Sequence, residues 1–114
     1  MRNLLRIFKA LSDPNRIRII KMLQIRSLCV CEIREILNLA NSTVSKHLSI
    51  LRDADLILDQ KDGKWVNLYL NQSTSEKYVS QLLPLLAEWL PDEDIVREDA
   101  EKVKAVDRDT ICAT

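Results

Sequence analysis

Two short segments with helical periodicity, separated by a polar break, constrain the fold of this chain most strongly. Apolar residues recur at i, i+3 and i+4 in residues 32–37, and they recur at helical spacing again in residues 41–54. The break at residues 38–41 offers a candidate N-cap for the second helix at Asn41 or Ser42. A short helix, a tight turn and a polar second helix indicate a helix-turn-helix.

The second of these helices has a polar face that suits a DNA groove. Val44, Leu48 and Leu51 form its apolar side, whereas small hydroxyl side chains and a lysine occupy the opposite side. Small side chains let a helix backbone approach nucleic acid closely, and their hydroxyl groups hydrogen-bond phosphates or base edges. An ordinary amphipathic surface helix would show the same pattern. The residues predicted to contact DNA from this helix are Ser42, Thr43, Ser45, Lys46 and His47.

A β-hairpin is predicted directly after this helix. Residues 56–60 and 65–70 flank a turn at residues 61–64 that contains the only glycine of the chain, Gly63. The sequence therefore predicts a winged helix-turn-helix, a mostly α-helical fold with a small β-hairpin (α+β). The basic residues predicted to meet DNA phosphates are Arg52, Lys61 and Lys64.

Further helices are predicted on either side of this unit. Residues 3–11 have helical periodicity, and Asp13 is a candidate N-cap for a second helix that begins at the following proline and runs to about residue 25. Residues 74–90 carry a broad apolar face, in which Pro84 predicts a kink or a division into two shorter helices. Arg16 and Arg18 of the second helix lie off its apolar stripe. They could contact the DNA backbone, but they are interpreted as solvated charges, which need no such role.

Two cysteines precede the first helix of the helix-turn-helix. In a regular helix Cys29 and Cys31 would diverge by about 200°, whereas in an extended approach or an irregular first turn both thiols can face one way and chelate one soft ion. A helix N-terminus also favours the thiolate form. Alternatively, both are small buried hydrophobes. An odd total of three cysteines, without an export signal, favours reduced thiols with metal or redox chemistry.

Charge and composition narrow the class of partner. Residues 1–70 contain 12 basic and 7 acidic residues, whereas residues 71–114 contain 5 and 10, so the predicted DNA-binding half is the positive one. No apolar run approaches the roughly 20 residues of a membrane span, and no secretory signal is present, so a cytoplasmic protein without a membrane partner is expected. A chain of 114 residues has a modest core that dimerisation would extend.

Four segments closely resemble, in order and spacing, the arsenic-repressor (ArsR/SmtB) family of metal-sensing regulators. They are residues 10–20, 28–33, 42–48 and 62–66, and the resemblance spans about residues 3–90. It implies a domain at residues 1–90 for DNA binding and dimerisation, followed by an acidic C-terminal helix or tail at 91–114. It also implies a homodimer that binds an inverted-repeat operator in double-stranded DNA. The dimer interface implied by the resemblance comprises Leu4, Phe8, Leu11, Tyr78, Leu82, Leu86 and Trp89.

The resemblance further implies that the Cys-Val-Cys segment binds trivalent arsenic or antimony as an inducer, with no constitutive cofactor. The family usually has a third cysteine where this chain has Arg34. Cys112, from the same chain or from the partner, could replace it, or a hydroxide or organic group could complete a dithiol site. The alternative zinc or cobalt site of the family is excluded, because His47 is the only histidine of the chain.

The function predicted from these observations is repression of an arsenic-resistance type operon, relieved when the inducer binds. The main alternative keeps the same fold but senses oxidants through a disulfide, or senses another thiophilic metal. An enzyme is not expected, because Cys-x-Cys differs from the redox Cys-x-x-Cys motif and a single glycine leaves no phosphate-binding loop.

Overall fold

Helices dominate the fold, and three short strands form one small sheet. The computed structural model describes residues 1–111 of the chain. The elements are α1 (Arg2–Leu11), α2 (Pro14–Leu23), β1 (Leu28–Cys29), α3 (Val30–Leu37), α4 (Asn41–Asp53), β2 (Ile57–Asp62), β3 (Trp65–Leu70), α5 (Lys77–Glu88), α6 (Asp94–Ala105) and α7 (Arg108–Ile111). The predicted winged helix is confirmed.

The sheet is antiparallel, with β3 in its centre and β1 and β2 at its edges. Strands β2 and β3 form the predicted hairpin, and Gly63 in its turn has a φ of +61°, which suits a residue without a Cβ atom. Strand β1 was not predicted as a strand. Its two residues pair with β3, with Leu28 opposite Leu68 and Cys29 opposite Asn67. The chain therefore passes from the sheet of the wing directly into helix α3.

One hydrophobic core joins the helices to this sheet. The apolar sides of α2, α3 and α4 meet in it, and Leu56, Ile57 and Leu68 enter it from the sheet region. Val44, Leu48 and Leu51 are almost fully buried, so the apolar side of α4 packs inward as predicted. Burial of the apolar side of a helix is the main source of helix stability, and it leaves the polar side of α4 outward.

Helix α6 is part of this folded unit. It packs against α2 and α3, and its Val103 enters the core. The carboxylate of Asp99 accepts hydrogen bonds from Nε of Arg18 at 2.8 Å and from Nη2 at 3.0 Å. These bonds raise the pKa of Arg18, and burial offsets part of the increase. Arg18 is therefore a partner of a buried carboxylate, which corrects the interpretation of this residue as a solvated charge.

Several predicted element boundaries need correction. Helix α2 has the predicted Asp13 cap, whose carboxylate accepts from the backbone N–H groups of Asn15 and Arg16, but the helix ends at Leu23. Helix α5 is a single helix that continues through Pro84, so it is not divided in two. Within residues 1–111, no helix has both the length and the apolar character needed to cross a bilayer.

Replacement of Asp99 by asparagine should lower the free energy of unfolding by about 2–3 kcal/mol, because Arg18 would stay largely buried without its countercharge. Glu101→Gln on the same helix is the matched control, since Glu101 and its partner Lys104 are both exposed. The control should change stability by less than about 0.5 kcal/mol. Urea unfolding at one fixed protein concentration measures both, and equal effects would contradict the assignment.

Candidate functional site

The exposed face of α4 presents most of the residues predicted to contact DNA. Ser42, Thr43, Ser45 and Lys46 are exposed, whereas His47 is half-buried. The helix starts at Asn41 with Ala40 as its N-cap, so the predicted cap at Asn41 or Ser42 is wrong. The side-chain oxygen of Asn41 instead accepts a hydrogen bond from the guanidinium of Arg34 on α3. This bond fixes the start of α4 against the preceding helix, and the Ser42 hydroxyl remains at the exposed end.

The wing carries two of the three predicted phosphate contacts at its tip. Lys61 and Lys64 are exposed, and Nζ of Lys64 lies 4.9 Å from the centre of the Trp65 ring. Arg52 lies at the other end of α4, where its Nη1 is 3.6 Å from Oδ2 of Asp59 on β2. Arg52 therefore links α4 to the wing through an intramolecular ion pair, and a phosphate would have to compete with Asp59 for it.

Cys29 and Cys31 lie at the junction between the wing and the helix-turn-helix. Cys29 is the last residue of β1 and the N-cap of α3, with extended backbone angles of φ −80° and ψ 163°. The two Sγ atoms are 3.1 Å apart. The prediction that an extended approach brings both sulfurs to one side is confirmed. Cys29 is buried, whereas Cys31 is half-buried and has a further interaction of its own.

The ionisation of Cys29 differs from the expectation for a helix N-terminus. Burial raises the pKa of the Cys29 thiol, and the neighbouring Glu32 carboxylate also disfavours the thiolate. Backbone N–H groups of Cys31 and Glu32 lower the pKa, as a helix N-terminus should, but burial outweighs them. Burial therefore keeps the pKa of the Cys29 thiol above its usual range, which corrects the expected activation by the helix.

Glu32 is a buried carboxylate that the sequence analysis did not single out. Its Oε1 accepts from the backbone N–H of Cys29 at 2.9 Å, and its Oε2 accepts from Nη2 of Arg26 at 3.1 Å. Arg26 also donates to the carbonyl groups of Val103 and Val106. The sequence shows a glutamate three residues after the N-cap, which signals half of a capping box, but no local pattern reveals the arginine or the distant carbonyls.

The C-terminal segment also contacts the wing. The guanidinium of Arg108 lies 4.1 Å from the centre of the Trp65 ring, and it donates to Oδ1 of Asn67 at 3.0 Å and to Oδ2 of Asp62 at 2.9 Å. Asp62 raises the pKa of Arg108 through this hydrogen bond. Because Asn67 is paired with Cys29 in the sheet, the C-terminal segment and Cys29 both contact strand β3.

The residues implied as a dimer interface are divided between exposed and buried positions. Phe8 is 56% exposed and Trp89 is 47% exposed, and Tyr78 is also exposed. Leu4, Leu11 and Leu82 are half-buried, whereas Leu86 is buried in the core of its own chain. Leu5 and Leu85 on the same helices, which were not among the residues named for the interface, are also exposed.

Within residues 1–111, no group of three or more histidine, cysteine, aspartate or glutamate side chains is placed to hold a metal ion. The described part of the site therefore offers the sulfurs of Cys29 and Cys31. The third predicted ligand, Cys112, lies outside the described residues.

Comparison with known proteins places this geometry in a family. The model of the bacterial regulatory proteins of the arsR family matches residues 13–58, which include α2, the helix-turn-helix and the cysteine pair. An arsenical resistance operon repressor of Escherichia coli is 35% identical over 105 residues, which cover 91% of this chain and 81% of that protein. The chain belongs to the ArsR family of bacterial transcription regulators. Another relative, the arsenic resistance transcriptional regulator ArsR2 of Pseudomonas putida, is 32% identical over 93% of this chain and 94% of that protein.

Solved structures of other proteins share this fold. The structure of reduced HlyU from Vibrio cholerae matches with a TM-score of 0.66 and 27% identity, covering 80% of this chain and 92% of that one. The resemblance drawn from the four sequence motifs is therefore confirmed, as is the winged-helix fold. Members of the ArsR family regulate transcription by binding DNA.

Alkylation by iodoacetamide should test the protonation of Cys29. In a Cys31→Ser, Cys112→Ser variant, Cys29 is the only thiol. At pH 7.5 it should react at least about tenfold more slowly in the folded protein than in guanidinium-unfolded protein, because it is buried and its pKa is raised. In the folded protein the alkylation rate should begin to increase only at a higher pH than in the unfolded protein, because the pKa of Cys29 is raised. Equal folded and unfolded rates would contradict the assignment.

Proposed function

We propose that this chain is a cytoplasmic homodimeric repressor of an arsenic-resistance type operon, which leaves its operator when trivalent arsenic or antimony binds Cys29 and Cys31. The observation that carries the proposal is the 3.1 Å separation of the two sulfurs at the junction of the wing and α3. The names of the relatives from Escherichia coli and Pseudomonas putida support arsenic as the signal.

The chemistry of the pair suits a soft trivalent ion. Two thiols and arsenous acid exchange two As–OH bonds for two As–S bonds and release two water molecules, so the overall reaction releases no net proton. This suits Cys29, whose pKa is raised by burial. The reaction concerns the reduced protein, in which Cys29 and Cys31 are both thiols. A third thiol, which we assign to Cys112, would replace the remaining hydroxyl group of the bound arsenic.

Arg34 occupies the position at which the family usually has its third cysteine, so the proposed third ligand must lie outside α3. Its side chain donates a hydrogen bond to Asn41 at the start of α4, so the position links the two helices of the helix-turn-helix. A cysteine there could not make this link, because it lacks the length and the planar donors of arginine. The chain therefore keeps this contact to the DNA-binding helix and takes its third ligand from a residue outside α3.

The junction at Cys29 and Cys31 couples inducer binding to the DNA-binding elements. Cys29 pairs with Asn67 of the wing, and its backbone N–H is held by Glu32 of α3. Ligand bonds to both sulfurs change the geometry of this junction, so they disturb the wing and α3, which packs on α4. A coupling of about 1–3 kcal/mol is enough to lower the DNA affinity about 5- to 150-fold.

The proposed complex places two copies of α4 in successive major grooves. A two-fold dimer sets them about one duplex turn apart, roughly 34 Å, on an inverted repeat. Exposed Phe8 and Trp89 belong to the proposed interface between the copies. Ser42, Thr43, Ser45, Lys46 and His47 would discriminate bases, whereas Lys61, Lys64 and Arg52 would bind phosphates.

A second candidate function is supported by the same contact. In the reduced protein, two thiols whose sulfurs are 3.1 Å apart can lose two protons and two electrons to an oxidant such as peroxide and form a disulfide, so an oxidant could act on this junction in place of arsenic. One structural relative is described as reduced HlyU from Vibrio cholerae, so the oxidation state of that protein is part of its description. Both candidates use the same fold and differ only in the signal.

Arsenite should release the reduced wild-type protein from its operator. Fluorescence anisotropy of a labelled fragment of the upstream region, with a phosphine in place of a competing thiol reductant, measures this release. We expect Cys29→Ser and Cys31→Ser to bind the fragment and to ignore arsenite, because each leaves one sulfur of the pair. Cys112→Ser should respond only at arsenite concentrations at least about tenfold higher, because one As–S bond is lost.

Peroxide in a parallel titration separates the two candidate signals. If peroxide releases the protein from the operator and arsenite does not, the arsenic proposal is contradicted and the oxidant sensor is supported. An unchanged response of Cys112→Ser would remove Cys112 from the ligand set while leaving the pair in place. Failure of the wild type to bind any upstream fragment would contradict the repressor itself.

A further inference from the structure

The guanidinium of Arg16 connects three helices. It belongs to the first turn of α2, and its Nε donates to the carbonyl of Ala10 at 2.7 Å while Nη2 donates to the carbonyl of Lys9 at 3.2 Å. These carbonyls belong to the last turn of α1, where helical carbonyl groups have no partner within the helix. The third nitrogen, Nη1, lies 3.1 Å from Nδ1 of His47 on α4. Two backbone contacts therefore hold the guanidinium in position against one imidazole ring.

This contact determines which nitrogen of the neutral imidazole carries the proton. An arginine side chain has hydrogen-bond donors only, so Nδ1 of His47 must be the acceptor. A nitrogen that accepts has no proton, and the neutral ring therefore carries its single proton on Nε2. Such a ring offers one N–H donor, and Arg16 limits its rotation.

The ring lies on the face of α4 that is proposed to bind DNA. His47 and Arg16 line an open cleft together with Asp13, Ser42, Thr43 and Lys46. A donor that is already oriented in the free protein costs less conformational entropy on binding than a freely rotating side chain. The acceptors that suit it on DNA are phosphate oxygens and the major-groove atoms N7, O6 and O4.

We propose that Arg16 is a positioning residue for DNA recognition, which holds His47 as the Nε2–H tautomer so that α4 presents a fixed N–H donor to an acceptor on the operator. The inference rests on the proposed function in that it takes α4 as the DNA-binding helix. It adds a role for an arginine that was interpreted from the sequence as a solvated charge. It also connects α1, part of the proposed dimer interface, to the orientation of a side chain on α4.

The first test needs no DNA. Because His47 is the only histidine of the chain, a long-range proton–nitrogen NMR spectrum of the labelled protein reports one imidazole. We expect an unprotonated Nδ1 and a protonated Nε2 in the wild type above pH 8. In Arg16→Gln and Arg16→Lys the two nitrogen shifts should move toward each other, because the released ring samples both tautomers. Arg97→Gln, which removes an exposed arginine of α6, is the control for charge and should leave the shifts unchanged.

The second test is a double-mutant cycle on operator binding. Arg16→Gln should lower the operator affinity about five- to tenfold in the wild-type background, but less than about twofold in a His47→Ala background, because Arg16 acts through the ring. The affinity lost by His47→Ala is then compared between the operator and operators with single base-pair changes. If one base-pair change abolishes the loss, the acceptor is on that base pair, whereas an equal loss on every sequence assigns the acceptor to a phosphate.

Three results would overturn the proposal. They are a protonated Nδ1 in the wild type, nitrogen shifts that stay unchanged in both Arg16 variants, and an equal loss from Arg16→Gln with and without His47. An equal loss on operator and unrelated DNA that persists in the His47→Ala background would instead make Arg16 a direct phosphate contact. If the wild type binds no operator, the proposed function fails, and the NMR spectra still decide whether Arg16 positions His47.

Discussion

The buried junction at Cys29 is the constraint on which the account of this protein depends. One residue is at once the end of strand β1, the N-cap of α3 and one of two adjacent sulfurs. Its backbone N–H is bonded to the Glu32 carboxylate, and its opposite neighbour in the sheet is Asn67. A buried junction with this many fixed contacts cannot accommodate a new ligand bond without displacing a neighbour, because protein interiors are close-packed.

The same neighbours extend the junction to the C-terminal segment. Arg26 links the Glu32 carboxylate to two carbonyl groups at the end of α6, and Arg108 lies against Trp65 and Asn67 of the wing. The acidic half of the chain is therefore bonded to the basic DNA-binding half through arginines. The cysteine junction and the wing therefore both contact the C-terminal segment.

The sequence was informative where the signal is local. Helical spacing in residues 41–54 predicted which side of α4 is buried, and the lone glycine marked the hairpin turn. Contacts between distant residues left no such pattern. The bond from Arg16 to His47 spans 31 positions and that from Arg18 to Asp99 spans 81, so periodicity could not show either. The pKa of Cys29 was misjudged for the same reason, since its burial depends on the packed fold.

The central claim is that inducer binding at the cysteine pair and DNA binding by α4 and the wing oppose each other. Thermodynamic linkage requires such an opposition to be reciprocal. The most direct measurement is the affinity of the reduced protein for arsenite, by calorimetry, with the protein free and then saturated with operator DNA. The account predicts weaker arsenite binding on the operator, by the same factor by which arsenite weakens operator binding. Equal arsenite affinities in the two states would contradict it.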